Sequence, residues 1–162
     1  MGKGSKLYEV RYINDLRDML QQSVEIYGDL DAFLVKTSNG TIRNVSFRQF
    51  SNDINYLGTA LCSLGLKGSM ISLISENRYE WCVSYLAVVN GTGVVVPLDK
   101  ELPENEISSL LERSDSSAVL CSGEYLDILI SVKANLPKLK KIICFDLEKS
   151  ESDDVLSFNE LI

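Results

Sequence analysis

Residues 69–100 read SMISLISENRYEWCVSYLAVVNGTGVVVPLDK, and their order of apolar and polar runs decides the fold class. Met70, Ile71, Leu73 and Ile74 form a short apolar run. A polar break follows, then a helix-length apolar stretch, a Gly-x-Gly break and the β-branched run Val94, Val95, Val96. That order predicts strand, helix, strand. Asn77 stands where a helix cap belongs, with Glu80 three residues on, and Gly91 closes the apolar stretch where a left-handed residue costs least. Trp81, Tyr85 and Val88 share one helix face and Cys82, Leu86 and Val89 the adjoining one, so most of the circumference is expected to be buried. Both strands are nearly unbroken apolar runs, as strands covered on two faces must be. Two such strands joined by a helix make a right-handed parallel crossover.

Working outward toward the amino end, Ile13, Leu16, Leu20, Val24 and Tyr27 recur at helical spacing, with Asp15 and Asp18 near the favourable end and Gly28 as the stop. The expectation is an amphipathic helix lying on the body of the domain. Runs at 32–35 and 41–45 flank Ser38-Asn39-Gly40, the strongest short hairpin signal. Ser46 then caps a long helix with Gln49 as reciprocal partner, and Phe47, Phe50, Ile54, Leu57, Leu61 and Leu64 draw one continuous stripe before Gly65. Residues 1–12, which open Met1-Gly2-Lys3-Gly4-Ser5-Lys6, lack the apolar core of a signal peptide and are read as a flexible start.

Toward the carboxyl end, Pro103 opens a helix carrying Glu104, Glu106, Ile107, Leu110 and Leu111. Residues 118–121 form a short buried strand. Tyr125, Ile128, Leu129 and Val132 make a helical face ended by Pro137, and residues 142–145 form a fourth parallel strand. Residues 146–154 are an acidic loop, and residues 157–162 look like a first helical turn capped by Ser157 with Glu160. The whole is an α/β domain, a mostly parallel sheet with helices on both faces, preceded by an N-terminal helix and a small antiparallel hairpin.

Composition bounds the function. A chain of 162 residues buries roughly 70% of the surface its unfolded form exposes, so it needs no disulfide or metal to hold a core. Sixteen basic against 23 acidic residues leave a net charge of −7, which disfavours nucleic acid and anionic membrane as main partners. No apolar run approaches the roughly 20 residues that span a bilayer. Cys62, Cys82, Cys121 and Cys144 lie far apart inside apolar stretches, as buried free thiols of a reducing, cytoplasmic compartment would. With no histidine in the chain, the usual general base near neutral pH and every Ser-His or Cys-His arrangement are missing. Three Asn-x-Ser/Thr matches, at Asn39, Asn44 and Asn90, carry no meaning without a secretion signal.

Ligands of parallel sheets bind beyond the carboxyl ends of the strands. There the chain offers Ser75-Glu76-Asn77, Leu98-Asp99-Lys100, Ser122-Gly123-Glu124 and Asp146. None is a phosphate cradle: G-x-x-x-x-G-K-[ST] is missing, and Gly91-Thr92-Gly93 is followed by Val96 where a dinucleotide fingerprint needs glycine and enters a strand, so it reads as a turn. Glu76 and Asp99 could pair as carboxylates, but a solvated loop and a helix entry explain them as well.

The strings SFRQFSNDINYLGTALCSLGLKG and ISLISENRYEWCVSYLAVVNGTGVVVPLDKELPENEISSLLERSDSSAVL resemble the amino-terminal region of the adenylate-forming family, and within it long-chain fatty acid:CoA ligases. ENRYEW from Glu76, GTGVVVPLD from Gly91 and the Glu106 helix leading into Ser114-Asp115 carry the resemblance, which covers residues 13–145. It implies an AMP-forming acyl-CoA synthetase that activates a fatty acid with MgATP to an acyl-adenylate, then transfers the acyl group to coenzyme A. In the family the nucleotide is held by a Ser/Thr/Gly-rich loop ending in Pro-Lys-Gly, a Thr-Glu pair, a ribose-binding Asp and a carboxyl-terminal catalytic Lys. This chain contains none of them, so no catalytic, cofactor-binding or metal-binding residue is carried over. Residues 13–162 are expected to be an excised, structural and inactive subdomain, with ATP, magnesium, coenzyme A, the fatty acid and the rest of the polypeptide as partners of the whole enzyme. The exposed cut surface would favour self-association. Two other readings compete: a stand-alone receiver-type signalling module with Asp99 as phosphoacceptor beside Glu76, and a siteless interaction domain that keeps the ligase fold.

Overall fold

The computed structural model describes residues 11–37 and 39–162; the expectation for residues 1–10, and Ser38 of the expected turn, lie outside them. Helix α1 (Leu16–Tyr27) begins three residues later than the apolar spacing suggests, because Asp15 accepts the Asp18 N–H and fixes the start there, leaving Ile13 exposed before it. Gly28, at φ +37°, ends it by donating its N–H to the Val24 carbonyl. Strands β1 (Asp31–Lys36) and β2 (Ile42–Ser46) pair antiparallel as a separate two-stranded sheet. Their turn uses Gly40 at φ +83° and the Asn39 side chain, which accepts the Thr41 N–H.

Helix α2 (Phe47–Ser63) starts where Ser46 accepts the Gln49 N–H at 3.1 Å. The reciprocal half of the expected capping box does not form, since the Gln49 amide turns along the helix to Asp53 Oδ1 at 2.6 Å. Phe50, Ile54, Leu57 and Leu61 are buried, as the stripe predicts.

The main sheet is all parallel, in the order β4-β3-β5-β6-β7, built from β3 (Met70–Ile74), β4 (Val94–Pro97), β5 (Ala118–Cys121), β6 (Lys141–Cys144) and β7 (Val155–Ser157). One core cluster holds α1, α2 and α3 (Tyr79–Ala87) against one face. A second holds α4 (Glu104–Arg113) and α5 (Leu126–Lys133) against the other.

Four expectations change. α3 is preceded by Arg78 in extended geometry with no side-chain cap, so Asn77 does not cap it. Its buried residues are Tyr79, Val83, Ser84 and Ala87, while Trp81, Cys82, Tyr85 and Leu86 are only partly buried. An all-round apolar helix hides which stripe faces inward; here the deciding contact is polar, the Tyr79 hydroxyl reaching Asp53. β4 is an edge strand with Val94 52% exposed, so it is not covered on both faces. Last, Ser157 caps no helix. It ends β7, its Oγ donates to the Leu147 carbonyl at 2.6 Å, and Glu160 instead accepts from Ser150. A single 3₁₀ turn (Phe158–Glu160) follows, with Phe158 fully buried edge-on against Phe145.

The Gly-x-Gly break is a turn, as read: α3 widens into a π-turn at Val88–Thr92, Gly91 adopts φ +133°, and the Thr92 hydroxyl donates to the Ala87 carbonyl at 2.9 Å.

Candidate site at the strand ends

In this strand order β3 leads into α3 on one face and β5 into α5 on the other, so a crevice opens between the carboxyl ends of β3 and β5. Residues 75–78 and 122–125 line it, and Asp146 joins from the end of β6.

Arg78 is the hub. Its side chain is 21% exposed. Nη1 donates to Asp146 Oδ1 at 2.9 Å and to Glu76 Oε1 at 3.2 Å, Nε donates to Glu80 Oε2 at 2.7 Å, and the guanidinium lies 5.3 Å from the Phe145 ring centroid. Burial works against the charge of Arg78, but its hydrogen bonds and the charges of Glu80 and Asp146 outweigh that and raise its pKa above the ordinary value. Asp146 also accepts the Gly123 N–H through Oδ2 at 2.7 Å, which ties the ends of β5 and β6 to α3. The other Glu76 oxygen, Oε2, is buried without a partner. Tyr125 donates to the Lys100 carbonyl at 2.8 Å, and burial, with the charge of Glu124, pushes its hydroxyl up to about 12.

The structure keeps Glu76 and Asp99 in different roles. Glu76 pairs with Arg78, whereas Asp99 is exposed and accepts the Glu101 N–H at 2.9 Å, closing the turn after β4. Arg78 was not singled out from the sequence as a functional residue. Its flanking acids, Glu76 and Glu80, are visible in ENRYEW, but Asp146 lies 68 positions away.

The crevice does not fit a nucleotide triphosphate. Its one arginine gives Nε and Nη1 to three surrounding carboxylates, Glu76, Glu80 and Asp146, so a polyphosphate would meet mostly negative charge there. Among the described residues no group of three or more His, Cys, Asp and Glu side chains could hold a metal ion, and no helix is long and apolar enough to cross a membrane. A separate open hollow of about 450 Å³ lies between α1, α2 and the π-turn at the amino ends of the strands, where Arg17 donates to the Asn90 carbonyl.

Residues 20–161 match the family described as AMP-binding enzyme. Fatty acyl-CoA synthetase A of Dictyostelium discoideum is 30% identical over 160 residues, 98% of this chain and 23% of that protein. Fatty acyl-CoA synthetase B of the same organism is 31% identical over 140 residues, 83% of this chain and 21% of that protein. Among solved structures, the anthranilate CoA ligase AuaEII in complex with anthranoyl-AMP superposes with a TM-score of 0.77 at 26% identity, covering 89% of this chain and 27% of that one. The chain belongs to the AMP-binding enzyme family. It spans between a fifth and a third of the length of these relatives.

Proposed function

We propose that this chain is the amino-terminal scaffold subdomain of a fatty acid:CoA ligase of the adenylate-forming type, acting in the cytoplasm as part of a longer polypeptide. The observation that carries the reading is the 30% identity to a fatty acyl-CoA synthetase across 98% of the chain, against only 23% of that protein. The whole enzyme would activate a fatty acid with MgATP and pass the acyl group to coenzyme A. The strand-end crevice supports assigning this part a structural role. Its one arginine is committed to Glu76, Glu80 and Asp146, so it holds α3, β5 and β6 together rather than a phosphate. The acyl, nucleotide and magnesium chemistry then belongs to the remainder of the polypeptide.

That remainder has a place to pack. Trp81 and Tyr85 stack, half-buried, on α3 with centroids 5.3 Å apart, and β4 leaves a sheet edge with Val94 open. In the isolated chain the same surface drives self-association.

The test is the reading frame beyond Ile162. A continuation through a Ser/Thr/Gly-rich loop ending in Pro-Lys-Gly supports the reading. A stop codon after Ile162 overturns it in favour of an interaction domain that keeps the fold without the chemistry.

A further inference from the structure

Cys121 and Cys144 play no part in the proposed ligase role, and they are placed side by side. They are register partners on the adjacent parallel strands β5 and β6, each the last residue of its strand. They are 0% and 1% exposed and belong to the same apolar cluster under α4 and α5. Register partners on neighbouring strands stand about 4.8 Å apart, inside the roughly 4.4–6.8 Å Cα window in which a disulfide closes without backbone movement. Cys62 and Cys82, expected from the sequence to be buried as well, are exposed on α2 and half-buried on α3, on the other side of the sheet.

The surroundings give the two sulfurs different roles. Cys121 beside it pulls Cys144 below the ordinary thiol range, against burial, which acts to raise it. Cys121 is pushed up, first by Cys144 beside it and then by burial. Cys144, on the strand that ends beside exposed Asp146, is placed to be the attacking sulfur, and fully buried Cys121 to be the resolving one. Apolar packing excludes bulky reagents, whereas hydrogen peroxide is close to water in size and Cys144 lies at the strand end, two residues before exposed Asp146.

We propose that Cys121 and Cys144 form an oxidation site that closes to a disulfide in the presence of hydrogen peroxide. The Cys144 thiolate attacks one peroxide oxygen and the O–O bond breaks. The departing hydroxide takes a proton to become water, leaving Cys144 as a sulfenic acid. The Cys121 sulfur, giving up its proton, attacks the Cys144 sulfur, and the sulfenic oxygen leaves as a second water. Two thiols are oxidised by two electrons and one peroxide is reduced to two waters. The new bond joins the ends of β5 and β6 beneath the Gly123–Asp146 contact, and so stiffens the base of the strand-end crevice.

The experiment does not depend on ligase activity. The chain is treated with hydrogen peroxide, quenched with catalase, denatured, alkylated with N-ethylmaleimide, digested with trypsin and weighed. The expected product is a cross-linked pair of peptides, residues 114–133 and 142–149, two hydrogens lighter than the two thiol forms together and released by dithiothreitol, while Cys82 remains alkylated. Full alkylation of both Cys121 and Cys144 at a peroxide dose that oxidises exposed Cys62 would overturn the proposal, as would Cys144 found as sulfinic acid with Cys121 alkylated. In folded Cys121→Ser, Cys144 is expected to stop at the sulfenic acid and take up dimedone. A folded variant without that adduct overturns the assignment of Cys144 as the attacking sulfur. Should the variant not fold, the cross-link in the natural sequence decides alone.

Discussion

Tyr79 donates its hydroxyl to Asp53 Oδ2 at 2.7 Å, joining the first turn of α3 to the middle of α2 inside the larger core cluster. Asp53 is 5% exposed, and its second oxygen accepts only from Gln49. A carboxylate buried this far is tolerated because both oxygens are satisfied. Tyr79→Phe removes one donor and leaves the acceptor buried, which is expected to cost about 1–3 kcal/mol in urea unfolding.

The same bond sets a pH dependence. Burial first, and then the hydrogen bond and charge of Asp53, raise the Tyr79 pKa well above its ordinary 10.0. A raised folded value means the contribution is fully present below pH 10.0 and is lost as pH rises above it. Unfolding free energy measured from pH 9 upward should therefore fall for the natural chain, and the Tyr79 share of that fall should be missing in Tyr79→Phe.

Arg78 supports a second prediction. Arg78→Ala leaves Glu76, Glu80 and Asp146 facing one another without a cation and uncovers the Phe145 ring, an expected loss of about 2–4 kcal/mol. Arg78→Lys should recover less than half of it, because one ammonium cannot reproduce three directed donors at Nε and Nη1. Thermal unfolding of the two variants beside the natural chain checks the order.

Two glycines separate steric from conformational constraint. Gly93 has extended backbone, yet an added Cβ would stand 2.2 Å from the Ser69 carbonyl oxygen, so Gly93→Ala must displace β4 from the loop before β3. Gly40 has open space but φ +83°. Gly93→Ala is expected to destabilise by more than about 2 kcal/mol and Gly40→Ala by about 1 kcal/mol. Equal effects from denaturant titration would contradict the packing at the β3–β4 start.

The half-buried aromatic pair on α3 and the β4 edge predict concentration-dependent association. Sedimentation velocity should show mass rising with concentration, and Val94→Lys on the open β4 edge should shift the chain toward monomer without lowering its melting temperature by more than a few degrees. A monomer at all concentrations would contradict the exposed-surface argument.

Local chemistry explains how much of the fold is legible in the sequence. Ser46, Gly28, Asn39-Gly40 and the stripe of α2 act within a few residues of themselves, so α1, the hairpin, α2 and the β3-α3-β4 crossover were legible. β7 was not, because three residues, Val155, Leu156 and Ser157, carry no periodicity and become a strand only by pairing with β6. Lys133 and Lys141, which neutralise Asp154 beside it, are distant in sequence. The strand-end hub was half visible: Glu76, Arg78 and Glu80 are neighbours in ENRYEW, but Asp146 comes into reach only when β6 lies beside β5. The inward face of α3 was misjudged for the same reason, since Tyr79 is selected by Asp53 on another helix.

The most direct measurement is fatty-acid-dependent ATP–pyrophosphate exchange, made on the purified 162-residue chain and on the polypeptide encoded by its complete reading frame. The proposed function predicts no exchange above background from the chain alone and clear exchange from the longer polypeptide. Exchange by the chain alone, or none from a folded longer polypeptide offered fatty acids, would contradict it.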